Sequence, residues 1–155
     1  MIQILPLTAE DISRAADILY YSWGLHTSQN VLYDPATLTL EKANSWLFRI
    51  AKGDRYSAFV AKVDEEIVGL ITLEIQDNPN YYMHKQQLFV IDVVVSQDHQ
   101  KRGVATLLEQ RAEALAKELN IHQISGNVDS WNAASQALMK KLDRTKGYEE
   151  WHKFL

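Results

Sequence analysis

The spacing of apolar residues changes along the chain, and each change marks an element. Ile2 to Leu7 reads as a strand ending near Pro6. Thr8-Ala9-Glu10-Asp11 reads as a helix start, with Thr8 as N-cap and acids in the first turn. Ile12, Ala16, Leu19 and Trp23 follow at helical spacing, and Gly24 is expected to end that helix. The stretch GLHTSQNVLYDPATLT has no period; it is expected to be either a functional loop or a surface loop with a short helical turn. Thr39 can cap a second helix, where Leu40, Ala43, Leu47 and Ile50 share a face up to Lys52-Gly53-Asp54. From Tyr56 the period becomes two, with Ser57, Phe59, Ala61 and Val63 on one face of a strand. Asp64-Glu65 makes the turn, Glu66 to Ile75 is the next strand, and Asp77-Asn78-Pro79-Asn80 is a loop.

Gln86 to Leu119 organises the rest of the chain. QQLFVIDVVV is a nearly continuous apolar run broken by Asp92. The polar loop SQDHQKRGVA follows, and then the helical stretch TLLEQRAEALAKEL. On that helix Val104, Leu107, Leu108, Ala112, Leu115 and Leu119 form the core stripe, while Glu109, Gln110, Glu113 and Lys117 are expected to face water. Asn120 closes it, Ile121 to Val128 reads as a fifth strand, and Asp129 to Asn132 as a loop. A last helix begins at Ala133 with Ala134, Leu138 and Leu142 as its core face, and Tyr148 to Leu155 reads as a short final strand. Short links between the second, third and fourth strands favour an antiparallel meander. A strand, helix, strand unit then favours parallel pairing of the fourth and fifth. The class is α/β of the α+β kind, with a mixed central sheet. No repeat, linker or low-complexity tract divides the 155 residues, so a single domain over 1–155 is expected.

Composition narrows the function. The chain is 46% hydrophobic and 23% charged, ordinary for a globular protein, with no apolar run long enough to span a membrane. Its start lacks the basic and apolar segments of a signal peptide. There is no cysteine, which removes disulfides, thiolate ligands and a cysteine nucleophile, and fits the cytoplasm. A net charge of −4 speaks against nucleic acid as main partner and suits a cationic small substrate. His26, His84, His99, His122 and His152 show no metal-ligand spacing, so no metal is expected.

The loop after the fourth strand has the chemistry of an anion site. A helix start presents N–H groups without partners and a partial positive charge, and phosphates bind there. Lys101 and Arg102 add full charges, and Gly103 permits close approach or a positive φ. The loop lacks the second glycine and the Ser/Thr of a P-loop, and it has one glycine where the dinucleotide fingerprint has three. Gln100-Lys101-Arg102-Gly103-Val104-Ala105 instead fits Gln/Arg-x-x-Gly-x-Gly/Ala. Preceded by Val93-x-Val95, it resembles the acyl-CoA pyrophosphate loop of the GNAT superfamily of N-acetyltransferases. The element order resembles that fold throughout, with helices on both faces of the sheet. Asp64 to Gly69, Val95 to Gln100, and Asn132-Ala133-Ala134 with Gly147-Tyr148 resemble further family segments. Two departures stand out: Met139 occupies a place where members often carry tyrosine, and Asp143 to Lys146 looks inserted.

The resemblance implies transfer of an acetyl group from acetyl-CoA to a primary amine of a small molecule or peptide, by direct attack. It places the cofactor against Val93, Val94, Val95, Gln100, Lys101, Arg102, Gly103, Val104 and Ala105, with Asn132, Ser135 and Met139 along the pantetheine arm. An alkyl ammonium with a pKa of about 10 must lose a proton before attack. Asp92, interrupting an apolar strand, is the leading candidate base because burial raises a carboxylate pKa, and Glu74 is second. Trp23, His26, Tyr33, Tyr81 and Tyr82 are candidate acceptor-pocket residues, with Trp46 beside them. Tyr33, Tyr81 or Tyr82 are candidates to protonate the departing thiolate in place of Met139, unless water suffices. A non-catalytic acyl-CoA-binding or sensing module is the alternative. A final strand adding to a second copy's sheet makes a homodimer possible.

Overall fold

The computed structural model describes residues 1–154. In chain order the elements are β1 (Gln3–Pro6), α1 (Ile12–Gln29), α2 (Leu40–Lys52), β2 (Tyr56–Val63), β3 (Glu66–Asp77), β4 (Gln86–Val95), α3 (Val104–Glu118), β5 (Ile124–Gly126) and α4 (Ala133–Lys141). Short 3-10 turns at Ala9–Asp11 and Gln97–His99 lead into α1 and into the loop before α3. The five strands lie in the order β1-β2-β3-β4-β5. All neighbours are antiparallel except β4 and β5, which are parallel, as a crossover through α3 requires.

Both faces of the sheet are covered, so β3 reads as a continuous apolar run. Leu70 and Val94 pack with Leu19 of α1 and with Leu47 and Ile50 of α2 on one face. Ile71, Leu73 and Val90 pack with Val104, Leu108 and Ala112 of α3 on the other. A Cβ on Gly69 would stand 2.9 Å from Val104 Cγ1 and 3.1 Å from the Val94 carbonyl. Glycine there lets the first turn of α3 sit directly on β3, and this fixes the loop before it.

Several expectations from sequence need correction. Helix α1 does not end at Gly24; it continues to Gln29, where the Asn30 N–H bonds the His26 carbonyl at 2.9 Å. Glu109 does not face water: it is fully buried, paired with Arg144 at 2.6 Å. Leu107 and Leu119 lie at the exposed edges of the α3 stripe. The fifth strand is three residues long rather than eight, because only Ile124 to Gly126 lie within reach of β4. Ala134, Leu138 and Leu142 do not form a core face, since α4 buries no residue. Residues 148–154 form no strand; Tyr148, Trp151 and Phe154 are exposed, with Glu149 and Glu150 among them. Leu155, the end of that expected strand, lies outside the described residues.

Candidate active site

The site grows from an irregularity in β4. Thr72 faces Asp92 and Leu73 faces Val90, so Ile91 has no opposite residue and forms a bulge. The bulge directs Asp92 to the face covered by α1 and α2. There Asp92 Oδ2 accepts a hydrogen bond from the fully buried Thr72 hydroxyl at 2.8 Å, and Thr72 Oγ1 accepts one from the Asp92 N–H at 3.2 Å. Burial pushes the Asp92 carboxyl above its ordinary range. The Thr72 hydroxyl, the Trp23 indole, the His26 ring and the Trp46 indole pull the other way without cancelling it.

Around Asp92 the sequence-derived acceptor residues partly converge. His26 Nδ1 lies 2.6 Å from Asp129 Oδ2, and its ring stands edge-on to Tyr33 at 6.0 Å and to Trp131 at 5.4 Å. Asn30 Nδ2 donates to Asp129 Oδ1 at 2.8 Å. Burial, with the charges of Asp129 and Asp92, pushes the Tyr33 hydroxyl pKa up, so Tyr33 keeps its proton. Trp23, Trp46, His26 and Tyr33 thus share one neighbourhood. Tyr81 and Tyr82 stack edge-on with each other at 5.3 Å in the exposed loop between β3 and β4. Glu74 lies two positions along β3 from Thr72, on the same face, and accepts from Gln76 Nε2 at 2.7 Å.

On the far edge of β4 the sheet opens. Pairing with β5 runs only from Leu88–Ile124 to Val90–Gly126. The Ser96 N–H bonds the Val68 carbonyl on β3 at 2.9 Å. By strand alternation the N–H and C=O groups of Val93 and Val95 therefore point to the opposite edge, where β5 has diverged. Val94 contributes its side chain to the core instead.

The loop beyond is built to receive an anion. Gly103 is left-handed at φ 84 and Lys101 at φ 61, a sequence of turns that brings successive N–H groups to one side. The glycine offers no side chain to cap α3, and the Leu107 N–H to Gly103 C=O bond at 3.1 Å is the first of the helix. The N–H groups of Val104, Ala105 and Thr106 therefore have no partner within the helix. Gln100 folds back toward the Val95 carbonyl at 3.4 Å, while Lys101 and Arg102 are exposed.

Helix α4 and the residue just past its end meet the first turns of α3, through Lys141 and Arg144. Asn132 caps it, its Oδ1 accepting from the Ser135 N–H at 3.0 Å, which leaves the Asn132 amide hydrogens free to donate. Met139 lies half-buried on the same side of the helix, 3.6 Å from Arg144 Nη1. Lys141 Nζ reaches Thr106 Oγ1 at 3.4 Å, in the first turn of α3. Sequence reasoning missed Thr72, Asp129, Asn30, Trp131, Lys141 and Arg144. Thr72 alone left a trace, as a polar residue in an apolar strand whose expected neighbour carries Asp92.

A short pairing between two parallel strands, beside an uncapped helix start, gives a mixed α/β domain with an anion-receptive cleft. The family comparison agrees: the acetyltransferase (GNAT) family model matches residues 21–143, and the chain belongs to that family. None of the curated proteins matches it by sequence. Among solved structures, an aminoglycoside N-acetyltransferase, AAC(6')-Iy, in complex with CoA is 15% identical with a TM-score of 0.82; the match covers 100% of this chain and 95% of that one. A predicted acetyltransferase with acetyl-CoA from Clostridium acetobutylicum is 17% identical with a TM-score of 0.78, over 100% and 96% of the two chains. A transcriptional regulator from Bacillus halodurans C-125 is 18% identical with a TM-score of 0.80, over the full length of both. At these identities the likeness is one of fold. No helix among the described residues is long and apolar enough to cross a membrane.

Proposed function

We propose that the chain transfers an acetyl group from acetyl-CoA to a primary amine of a small molecule or peptide, by direct attack with carboxylate help. The observation that carries this reading is the position of Asp92. It is desolvated and held by Thr72 on the strand whose other edge has just lost its β5 partner. The free N–H groups of Val104, Ala105 and Thr106, with Lys101 and Arg102, would hold the pyrophosphate. Lys141, beside Thr106, would add charge there. The pantetheine arm would lie along the Val93 and Val95 edge, with the Asn132 amide donating to it and Ser135 and Met139 beside it. A backbone N–H of that edge would polarise the thioester carbonyl.

The acceptor arrives as an ammonium ion. Asp92, or Glu74 through water, takes one proton and frees the nitrogen lone pair. The amine nitrogen then bonds the thioester carbonyl carbon, the C–S bond breaks, and the sulfur leaves as thiolate. The nitrogen gives up a second proton as the amide forms, and one proton returns to the sulfur. The raised pKa of Asp92 brings it toward the working range of a general base. Tyr33, held protonated, would donate to the acceptor side or to the departing sulfur.

Thiol release from acetyl-CoA in the presence of primary amines tests the reading. Asp92→Asn is expected to lower kcat/KM by about 10²-fold or more. An unchanged rate across pH would remove Asp92 from the chemistry. One observation favours a second reading, a module that binds acyl-CoA without turnover: Met139 has no proton to give at the place where the family often has tyrosine. Saturable acetyl-CoA binding without thiol release to any amine of a broad panel would select it.

A further inference from the structure

His26 ends a hydrogen-bond chain whose direction is fixed from its far end. The Leu32 N–H donates to Asn30 Oδ1 at 3.0 Å, which turns the Asn30 Nδ2 toward Asp129. That Nδ2 donates to Asp129 Oδ1 at 2.8 Å, and Asp129 Oδ2 lies 2.6 Å from His26 Nδ1. A carboxylate only accepts, so the proton between Asp129 and His26 sits on Nδ1. The neutral ring then carries its lone pair on Nε2. Nε2 has no hydrogen-bond partner among the described residues. The Tyr33 and Trp131 rings stand edge-on to the imidazole at 6.0 and 5.4 Å and hold its plane. An oriented base with nothing to accept from is more than packing requires.

This base stands beside Asp92. His26 is close enough for its charge to act on the Asp92 carboxyl, and Asp92 and Asp129 both act on Tyr33. Glu74 shares that face of the sheet, with Oε2 engaged by Gln76, but it lies two strand positions beyond Thr72, about 7 Å farther along. Acetyl transfer to an ammonium ion takes two protons from the nitrogen. One ends on the sulfur and one in water. A single carboxyl at Asp92 holds one of them at a time. The His26 side chain is 31% exposed, which gives a second proton a way out to water.

We propose that His26 is a second base of the reaction, acting after Asp92. This rests on the acetyl-transfer reading. Asp92 takes the first proton from the ammonium, the nitrogen bonds the thioester carbonyl carbon, and the C–S bond breaks. As the amide forms, His26 Nε2 takes the second proton from the nitrogen. The imidazolium, paired with Asp129, then releases it to water. Asp129 and Asn30 are positioning residues that hold the ring in its reactive tautomer.

Two amide variants test this by thiol release from acetyl-CoA with a panel of primary amines. In His26→Asn the side-chain Nδ2 can still donate to Asp129, but no base stands where Nε2 was. In Asp129→Asn the Asn30 Nδ2 still holds the carbonyl oxygen, so the new amide nitrogen faces His26 Nδ1 and turns the ring to its Nε2–H tautomer. Each is expected to lower kcat by about 10²-fold while the KM for acetyl-CoA changes little. Glu74→Gln is expected to lower kcat much less. Nitrogen NMR of the imidazole, its signal assigned by its loss in His26→Asn, is expected to show the Nδ1–H tautomer in the parent and Nε2–H in Asp129→Asn. An Nε2–H ring in the parent overturns the proposal. So does a parent that releases thiol and a His26→Asn variant that matches its kcat. A full loss in Glu74→Gln with none in His26→Asn moves the second proton to Glu74 and overturns it likewise. A parent that releases thiol to no amine of the panel sinks the acetyl-transfer reading itself, and the role of His26 with it.

Discussion

Helices α3 and α4 touch at Thr106 and, through Arg144, at Glu109, and are anchored in opposite ways. Helix α3 buries Val104, Leu108, Glu109, Ala112 and Ala116 against the sheet, while α4 buries nothing. The side of α4 carrying Ser135, Leu138, Met139 and Leu142 is half-exposed. Its attachments are polar and few: the Asn132 cap, the Lys141–Thr106 contact, and Arg144, just past its end, on Glu109. A helix is ordinarily stabilised by burying an apolar face. One that leaves its inner face uncovered, beside a strand edge without a partner, is shaped to close on something else. Under the proposed function, that is the pantetheine arm of acetyl-CoA.

The contrast can be broken at its strongest tether. Arg144→Met leaves Glu109 buried without its cation, and one Glu109 oxygen already lacks a partner. The expected loss is about 3 kcal/mol in urea unfolding. Its pH dependence has a definite sign. Burial, helped by the Glu113 charge, raises the Glu109 pKa above 4.5 against the pull of Arg144, so the folded state holds its proton longer than the unfolded state. Stability from this group is full below the ordinary value and is lost as pH rises through the folded value. Removing Arg144 takes away a lowering influence, so the loss should extend to higher pH.

Two leucines sharpen the contrast. Leu108→Ala, in α3 and fully buried, is expected to cost about 2–5 kcal/mol. Leu138→Ala, on the half-exposed side of α4, is expected to cost about 1 kcal/mol or less in the free protein. With saturating acetyl-CoA the second cost should grow and the first should not. Comparable costs in the free protein would mean that α4 packs as α3 does.

Asp92→Asn gives the smallest change in stability, in an unusual direction. Because burial raises the Asp92 pKa above 3.8, ionisation costs stability as pH rises through that window. The neutral amide escapes this cost. The variant should therefore unfold at a higher temperature than the parent near neutral pH, with the advantage shrinking toward pH 4, even as thiol release falls. A lower melting temperature at every pH would show that Asp92 is a structural carboxylate satisfied by Thr72.

What the chain revealed by itself follows from the range of each interaction. The loop Gln100 to Ala105 was legible because its glycine, its cations and the helix behind it are neighbours in sequence. Asp92 was legible because it breaks an apolar run. Asp129 was not, because its partner His26 lies 103 positions away and neither residue is unusual in its own segment. Glu109 was read as solvent-facing because a charge beside an apolar stripe usually is. The Arg144 that buries it sits in the segment that looked like an insertion, with Asp143 left-handed at φ 54 turning the chain back onto α3. Gly24 was read as a helix end because glycine commonly caps helices; here the neighbouring turns carry the helix past it. The aromatic residues Tyr148, Trp151 and Phe154 suggested a strand, but strand pattern without a neighbouring edge does not make one.

The most direct measurement is amide hydrogen exchange of α3 and α4, with and without acetyl-CoA. In the free protein α4 should exchange much faster than Leu108 to Ala116 of α3, since few buried contacts hold it. On adding acetyl-CoA, α4 and the N–H groups of Val104 to Thr106 should gain strong protection, while the middle of α3 changes little. Protection confined to other segments, or α4 equally slow in both states, would contradict the claim that its uncovered face is a wall of the cofactor site.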